Sequence, residues 1–155
     1  MSLEDLEQRI RVLEDVEEIK KLKHRYCAYI DDGMDADGVA SLFAEDGVWQ
    51  GLVGKAQGRG EIRKAYAGSA QVLPFAIHHV MNPIIEVSGD KAKGTWYLFE
   101  PCTFAEGNRA VWGAARYDEE YVRVDGEWKI QSLTLTPRFF TPFNEGWAKI
   151  RMISP

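Results

Sequence analysis

The chain has 155 residues, of which 45% are hydrophobic, 28% charged and 12% aromatic, and its formal net charge at neutral pH is −5. This composition indicates one globular domain over residues 1–155 that buries a core without crosslinks. The acidic balance disfavours a nucleic-acid-binding face, and no apolar run approaches the roughly 20 residues that cross a bilayer. Because the N-terminus is acidic and only two cysteines are present, we expect a cytoplasmic protein without a disulfide framework.

The N-terminal part of the chain predicts helices. Apolar residues recur at steps of three and four, which is typical of one face of a long amphipathic helix, and Gly33 is expected to stop it. Asp35 is a suitable cap for a second, shorter helix. The predicted segments, in chain order, are a helix over 3–30, a capped helix ending at 43, a strand over 48–53, a loop over 54–60 and a helix over 61–70.

From residue 75 onward the hydrophobic period changes to two, which predicts strands. Asn82-Pro83 interrupts the first strand, and Asp125-Gly126 is a strong hairpin signal between the last two. Helices followed by long antiparallel strands predict an α+β fold, in which a curved sheet wraps against a helical layer and forms a cone with an interior pocket. The predicted strands cover 77–87, 92–104, 110–124 and 128–136.

One histidine and one carboxyl are expected to meet inside this cone. His78 and His79 are adjacent on a predicted strand, so they face opposite sides of the sheet and no metal site is expected. One of them therefore faces the interior. Asp31 is a candidate partner because the end of a helix is an unfavourable place for a carboxylate. Tyr26 lies five residues earlier, on a nearby face of the same helix.

Glu100 is the second carboxyl that stands out. It follows a mostly apolar stretch and, by alternation, shares a face with Trp96 and Leu98. Burial would raise the pKa of this carboxyl and let it act as an acid. The aromatic side chains are most simply core residues, but in a cone with a cavity we expect Trp49, Trp96 and Phe139 to line it.

Five motifs, taken together, point to a known family. They resemble those of the SnoaL-like group within the nuclear transport factor 2-like (cystatin-like) superfamily. Within that group the chain is similar to bile acid 7-alpha-dehydratases, scytalone dehydratase and gamma-hexachlorocyclohexane dehydrochlorinase. The motifs are Ile19-x-x-Leu22-x-x-x-Tyr26-x-x-x-x-Asp31, Leu42-Phe43-x-x-Asp46-x-x-Trp49, His78-x-x-x-Asn82, Gly94-x-Trp96 and Tyr121-x-x-x-Asp125-Gly126-x-Trp128-x-Ile130.

The resemblance implies a cone-shaped α+β barrel of three helices on a strongly bent, mixed but mainly antiparallel sheet. The active site would lie inside the cone and use no metal or organic cofactor. The family's His-Asp dyad maps onto His78 and Asp31, and its helix tyrosine maps onto Tyr26. The second acidic position of the bile acid dehydratases falls on Glu100, where that family has Asp.

The remaining expected positions bind substrate. The family's active-site arginine corresponds to Arg138 if the alignment shifts by one residue, and Gln50 stands where the family has a tyrosine. The expected substrate-binding residues are Trp49, Gln50, Trp96, Leu98, Arg138 and Phe139.

The expected function is a cofactor-independent lyase of the dehydratase type, or an isomerase, acting on a hydroxylated polycyclic, steroid-like or aromatic molecule. Asp31 would orient His78 as a base, Tyr26 would bind the developing negative oxygen, and Glu100 would protonate the leaving hydroxyl. Two alternatives remain: a non-catalytic small-molecule-binding or assembly module, and a structural subunit like the beta subunit of aromatic-ring dioxygenases. An apolar stripe over 3–13 and outward-facing aromatic residues predict a homo-oligomer, either a dimer or a trimer.

Overall fold

The computed structural model describes residues 1–52 and 54–155. Its helices begin with side-chain caps where the sequence offers them. Ser2 and Asp5 form a capping box, in which the Asp5 backbone N–H donates to Oγ of Ser2 at 3.1 Å and the Ser2 N–H donates to the Asp5 carboxylate at 2.7 Å. No helix within these described ranges is both long and apolar enough to cross a membrane. The helices are α1 (Leu3–Asp31), α2 (Ala36–Ser41) and α3 (Arg59–Val72).

A strongly curved, mixed sheet packs against these helices, which confirms the predicted α+β cone. The strands are β1 (Phe43–Gln50), β2 (Lys55–Gln57), β3 (Phe75–Ala76), β4 (His79–Ser88), β5 (Lys91–Phe104), β6 (Arg109–Val124) and β7 (Glu127–Pro142). Their order in the sheet is β2-β1-β7-β6-β5-β3, and β4 also pairs with β5. The β1–β7 pair is parallel, and the other pairings among the described strands are antiparallel.

Several predicted boundaries are corrected by strand pairing. Phe43, expected at the end of a helix, begins β1 because it pairs with Ile130 of β7. The expected loop over 54–60 contains β2, which pairs with β1, and the start of α3. The last strand runs to Pro142 because β6 supplies partners that far. Val53, which ends the strand predicted over 48–53, lies outside the described residues.

Helix α1 packs on the sheet with its C-terminal half. Its buried residues are Ile19, Leu22, Lys23, Tyr26, Cys27 and Ile30, which recur at helical spacing on one face. The N-terminal half leaves Leu3, Leu6, Ile10 and Leu13 exposed. Self-association through this exposed stripe stays a prediction.

A β-bulge in β7 decides which aromatic residue at the end of that strand faces inward. Along β6 the partner in β7 changes from Pro137 directly to Phe139, so Arg138 is the extra residue. A bulge shifts the alternation of side chains by one position. Phe140 is therefore buried, with 2% exposure, whereas the ring of Phe139 stacks outside on Trp147 at a centroid distance of 5.0 Å.

The bulge generates a stability prediction. Phe140 packs over Gly113, where an added Cβ would lie 2.5 Å from the Phe140 ring, and stacks on Phe104 at 6.1 Å. We expect Phe140→Ala to lower the free energy of unfolding by about 3–5 kcal/mol, because it removes a buried ring from a packed site. Phe139→Ala, the matched control, should cost clearly less in the same urea denaturation series. Equal losses would contradict the inward assignment of Phe140.

Candidate active site

The position of His78 follows from how two short segments pair with β5. Ala76 is opposite Cys102 and His79 is opposite Phe99, so both segments share one register and His78 falls opposite Glu100. The ladder is interrupted there beside Pro101, which has no N–H to donate. His78 and Glu100 are thus cross-strand neighbours on the same face of the sheet.

Asp31, the last residue of α1, binds the ring and the backbone of His78. Its Oδ1 lies 2.7 Å from Nδ1 of the imidazole, and its Oδ2 accepts from the His78 backbone N–H at 3.0 Å. The side chains of His78 and Asp31 are 7% and 22% exposed. These two hydrogen bonds offset the unfavourable position of a carboxylate at the C-terminal end of a helix.

This contact defines what the imidazole can do. An ionised carboxylate only accepts hydrogen bonds, so Nδ1 carries the hydrogen that points to Asp31. In the neutral ring Nε2 then holds a lone pair, and it faces the interior near Glu100. A histidine held in this tautomer by a carboxylate can act as a general base.

Glu100 is a buried carboxyl next to that base. It is 4% exposed, and its Oε1 lies 3.7 Å from Nε2 of His78, which is longer than a hydrogen bond. Burial away from water raises the pKa of Glu100; His78 opposes this effect and the charge of Asp31 adds to it. The carboxyl therefore keeps its proton to higher pH than an exposed glutamate, as a general acid requires.

Three phenol groups also line the interior. The hydroxyls of Tyr26 on α1 and Tyr66 on α3 lie 2.6 Å apart, and the Tyr66 ring packs on Trp49 at 5.2 Å. Tyr117 of β6 meets the Tyr26 ring edge-on at 6.2 Å. Burial raises the pKa of all three phenols well above the ordinary value, so they remain neutral donors.

These groups surround a cavity that opens to solvent at its mouth. Its polar lining consists of the three tyrosines with Ser69, His78 and Glu100, and the rest is apolar. An apolar interior with a few convergent polar groups is typical of a site for a small organic molecule. The apolar lining includes Ile30, Met34, Trp49, Leu52, Val72, Leu73, Phe104, Leu133, Leu135 and Phe140.

Four residues singled out from the sequence line this cavity, namely Tyr26, Trp49, His78 and Glu100. Asp31 lies behind His78, as its hydrogen bonds require. Tyr66 and Tyr117 also line the cavity but were not predicted from the sequence. Both could have been predicted to face inward. Alternation along β6 places Tyr117 on the inward face, and Tyr66 lies one turn after the buried Ile62 on α3.

The other five expected substrate-binding residues do not line this cavity. Their role in substrate binding stays a prediction. Gln50 is exposed because alternation turns Trp49 inward. Trp96 and Leu98 share the inward face with Glu100 but pack in the core beyond the cavity, where the Trp96 indole donates to the Tyr121 hydroxyl at 3.0 Å. The bulge in β7 turns Arg138 and Phe139 away from the cavity and puts Phe140 in its wall.

Cysteine and metal chemistry find little support in this site. Burial raises the pKa of the Cys27 thiol to about 11 and that of Cys102 to about 12, so both are protonated and poor nucleophiles at neutral pH. Within residues 1–52 and 54–155, no group of three or more His, Cys, Asp or Glu side chains is arranged to hold a metal ion.

Comparison with known proteins identifies relatives. Hexachlorocyclohexane dehydrochlorinase 1 of Sphingobium indicum is 39% identical over 67 residues, which cover 43% of this chain and 44% of that protein. The match thus spans less than half the length of this curated relative. A family model described as the SnoaL-like domain matches residues 11–134.

Solved structures share the fold over nearly the whole chain. The crystal structure of LinA superposes with a TM-score of 0.82 at 23% identity, covering 95% of this chain and 98% of that one. A scytalone dehydratase-like protein from Novosphingobium aromaticivorans gives a TM-score of 0.76 at 21% identity, covering 92% and 95%. The chain therefore belongs to the SnoaL-like domain family and has the nuclear transport factor 2-like, cystatin-like fold that its motifs resemble.

Proposed function

We propose that the protein is a cofactor-independent lyase of the dehydratase type. It removes a proton from a carbon next to a carbonyl group and expels a hydroxyl from the neighbouring carbon of a hydroxylated polycyclic, steroid-like or aromatic substrate. The observation that carries this proposal is His78, which Asp31 holds at Nδ1 with a 2.7 Å hydrogen bond while Nε2 faces the cavity beside Glu100.

The first step is proton abstraction. Nε2 of His78 takes the proton from the substrate carbon, and Asp31 stabilises the imidazolium that results. The carbon's electron pair moves toward the carbonyl oxygen, which becomes negative. The Tyr26 hydroxyl donates to that oxygen, and the Tyr66 hydroxyl, 2.6 Å away, can donate to Tyr26 in turn.

The second step is loss of water. The electron pair returns to form the carbon–carbon double bond while the hydroxyl leaves with the proton of Glu100. Burial supports this role because it raises the pKa of the Glu100 carboxyl, which therefore keeps its proton to higher pH. Afterwards the proton that Nε2 of His78 took from the substrate can pass to Glu100, whose oxygen is 3.7 Å away, and both groups are restored.

The names of the relatives support an elimination. One is a dehydrochlorinase and another is scytalone dehydratase-like, and both names describe loss of a small acid or of water from adjacent carbons. A base that takes a proton from carbon serves either reaction, or an isomerisation when no leaving group is present. Glu100 favours the dehydration, because a hydroxide leaving group needs a proton and a halide does not.

A first prediction tests the base. Hydroxylated ketones of steroid and polycyclic type would be screened by the absorbance of the conjugated product. Once a substrate is found, His78→Ala should lower kcat/KM by about 10²–10⁴-fold, the usual contribution of a general base. His79→Ala is the matched control, since this neighbour is exposed on the outer side. Normal turnover by His78→Ala would place the chemistry elsewhere, and ligand binding without turnover would favour a binding module.

A second prediction tests the acid. We expect Glu100→Gln to slow elimination of a hydroxyl by about 10²-fold or more, and elimination of a halide from the matched substrate far less, because only the hydroxyl leaves with a proton. Parallel rate measurements on the two substrates give the ratio. Equal slowing of both would make Glu100 a group that positions the substrate.

A third prediction concerns pH. The acid is active while protonated, so kcat/KM for the hydroxyl substrate should fall as pH rises through the pKa of Glu100. Because burial raises that pKa, the fall should lie above the range of an exposed carboxyl. The fall should disappear from the pH profile of Glu100→Gln. If it persists unchanged in this variant, another group is the acid.

A further inference from the structure

A buried ion pair lies beside the cavity, between Lys23 of α1 and Glu119 of β6. Lys23 is 0% exposed and Glu119 is 3% exposed, and Nζ of the lysine donates to Oε1 of the glutamate. The other carboxylate oxygen, Oε2, accepts from the Tyr121 hydroxyl. Both oxygens of Glu119 are therefore held, which fixes the direction of the pair.

The Lys23 ammonium lies against two phenol rings. Its Nζ is 3.3 Å from the centroid of the Tyr117 ring and 4.4 Å from that of Tyr26. Helical spacing brings Lys23 and Tyr26 to one face of α1, three residues apart, and alternation brings Tyr117 and Glu119 to one face of β6. The cation attracts the negative faces of both rings and holds them in place.

The two phenols line the cavity. The Tyr26 hydroxyl is paired with Tyr66, but the Tyr117 hydroxyl forms no hydrogen bond with any residue in the described part of the chain. A buried phenol donor that faces a cavity is free to donate to a ligand, and it gains by doing so.

A buried ion pair adds little net stability on its own. Taking two charges out of water is costly, and apolar residues of similar volume are often equally stable in place of such a pair. What the pair adds is a fixed direction of charge, with its positive end at the phenols and its negative end at Tyr121. The ammonium is the end of the pair that lies against the phenols, so it favours negative charge on a ligand oxygen beside their hydroxyls, where the proposed elimination develops it.

We propose that Tyr117 is a second oxygen-binding residue, which donates to the same developing oxyanion as Tyr26, and that Lys23 is the positioning residue that orders both phenols. The proposal rests on the elimination described above and specifies its substrate. The substrate is a carbonyl compound whose oxygen lies between the two phenols, with the reacting C–H next to it, so the intermediate is an enolate. The pair of phenols should therefore prefer an anionic oxygen over a neutral one.

Binding of 2-naphthol tests this without turnover. This compact two-ring phenol changes its absorbance and fluorescence when it ionises, so titration reports both its affinity and its charge in the site. On the wild-type protein the bound naphthol should ionise at lower pH than it does in free solution. Tyr117→Phe should weaken binding of the anion by about tenfold or more, the usual effect of losing a hydrogen bond to a charged group.

The double variant Lys23→Met with Glu119→Gln tests the positioning role. It removes both charges together, so it leaves no unpaired buried ion. The bound naphthol should then ionise at higher pH than on the wild-type protein. Lys21→Met, which changes an exposed lysine of the same helix, and Tyr97→Phe, on the outer face of β5, are matched controls that should behave as wild type.

Unchanged naphthol affinity in Tyr117→Phe would overturn the second donor, and this variant decides the proposal if the double variant fails to fold. Unchanged naphthol ionisation in a folded double variant would overturn the role of Lys23. Neither result depends on His78. If turnover requires His78 but Tyr117→Phe binds naphthol normally, this inference is rejected and the proposed function is kept. Selective naphtholate binding without turnover of any carbonyl substrate would reject the proposed elimination and keep only the two phenols as a binding site for an anionic oxygen.

Discussion

Burial of the C-terminal half of α1 against the concave side of the sheet is the contact on which the cavity depends. Ile19, Leu22 and Ile30 lie at 0%, 1% and 6% exposure in that contact, and their burial sets the rotation of the helix about its axis. The same rotation brings Tyr26 into the cavity wall and carries Asp31 to the hydrogen bonds with His78. One apolar stripe thus positions the phenol and the carboxylate of the candidate site.

The two carboxyls of the candidate site, Asp31 and Glu100, differ in hydrogen bonding and in burial. Asp31 is partly exposed and accepts hydrogen bonds from the ring and the backbone N–H of His78. Glu100 is buried and lies 3.7 Å from the imidazole, and burial raises its pKa. Carboxyls in such different surroundings can act as an orienting base partner and as an acid in the same cavity. The division follows from hydrogen bonding and solvent access, since the side chains are chemically almost the same.

Membership of the SnoaL-like family predicts the fold, whereas the substrate has to be inferred from the groups that line the cavity. A fold hosts many reactions, and function depends on the groups placed within it. Here an apolar interior is combined with the imidazole of His78, the buried carboxyl of Glu100 and three phenols. Lys23 and Glu119 supply a buried dipole directed at those phenols. Together these groups support the proposed substrate, an apolar molecule that becomes negative at one oxygen during the elimination.

The sequence by itself determined the features that depend on local spacing. It predicts α1 almost to its last residue, the strands of the second half and the inward face that carries Glu100. It also contains the motifs, with Tyr26, Asp31 and His78 among their residues, that resemble those of the SnoaL-like family. Only the tertiary structure decided how close each inward side chain lies to the cavity and how the strands pair in register. Alternation gives the face of Trp96 but not its distance from the cavity, and a single bulge at Arg138 exchanges Phe139 for Phe140. The burial of Lys23 was likewise settled by a partner 96 residues away, because pairing across a sheet depends on contacts that no local pattern contains.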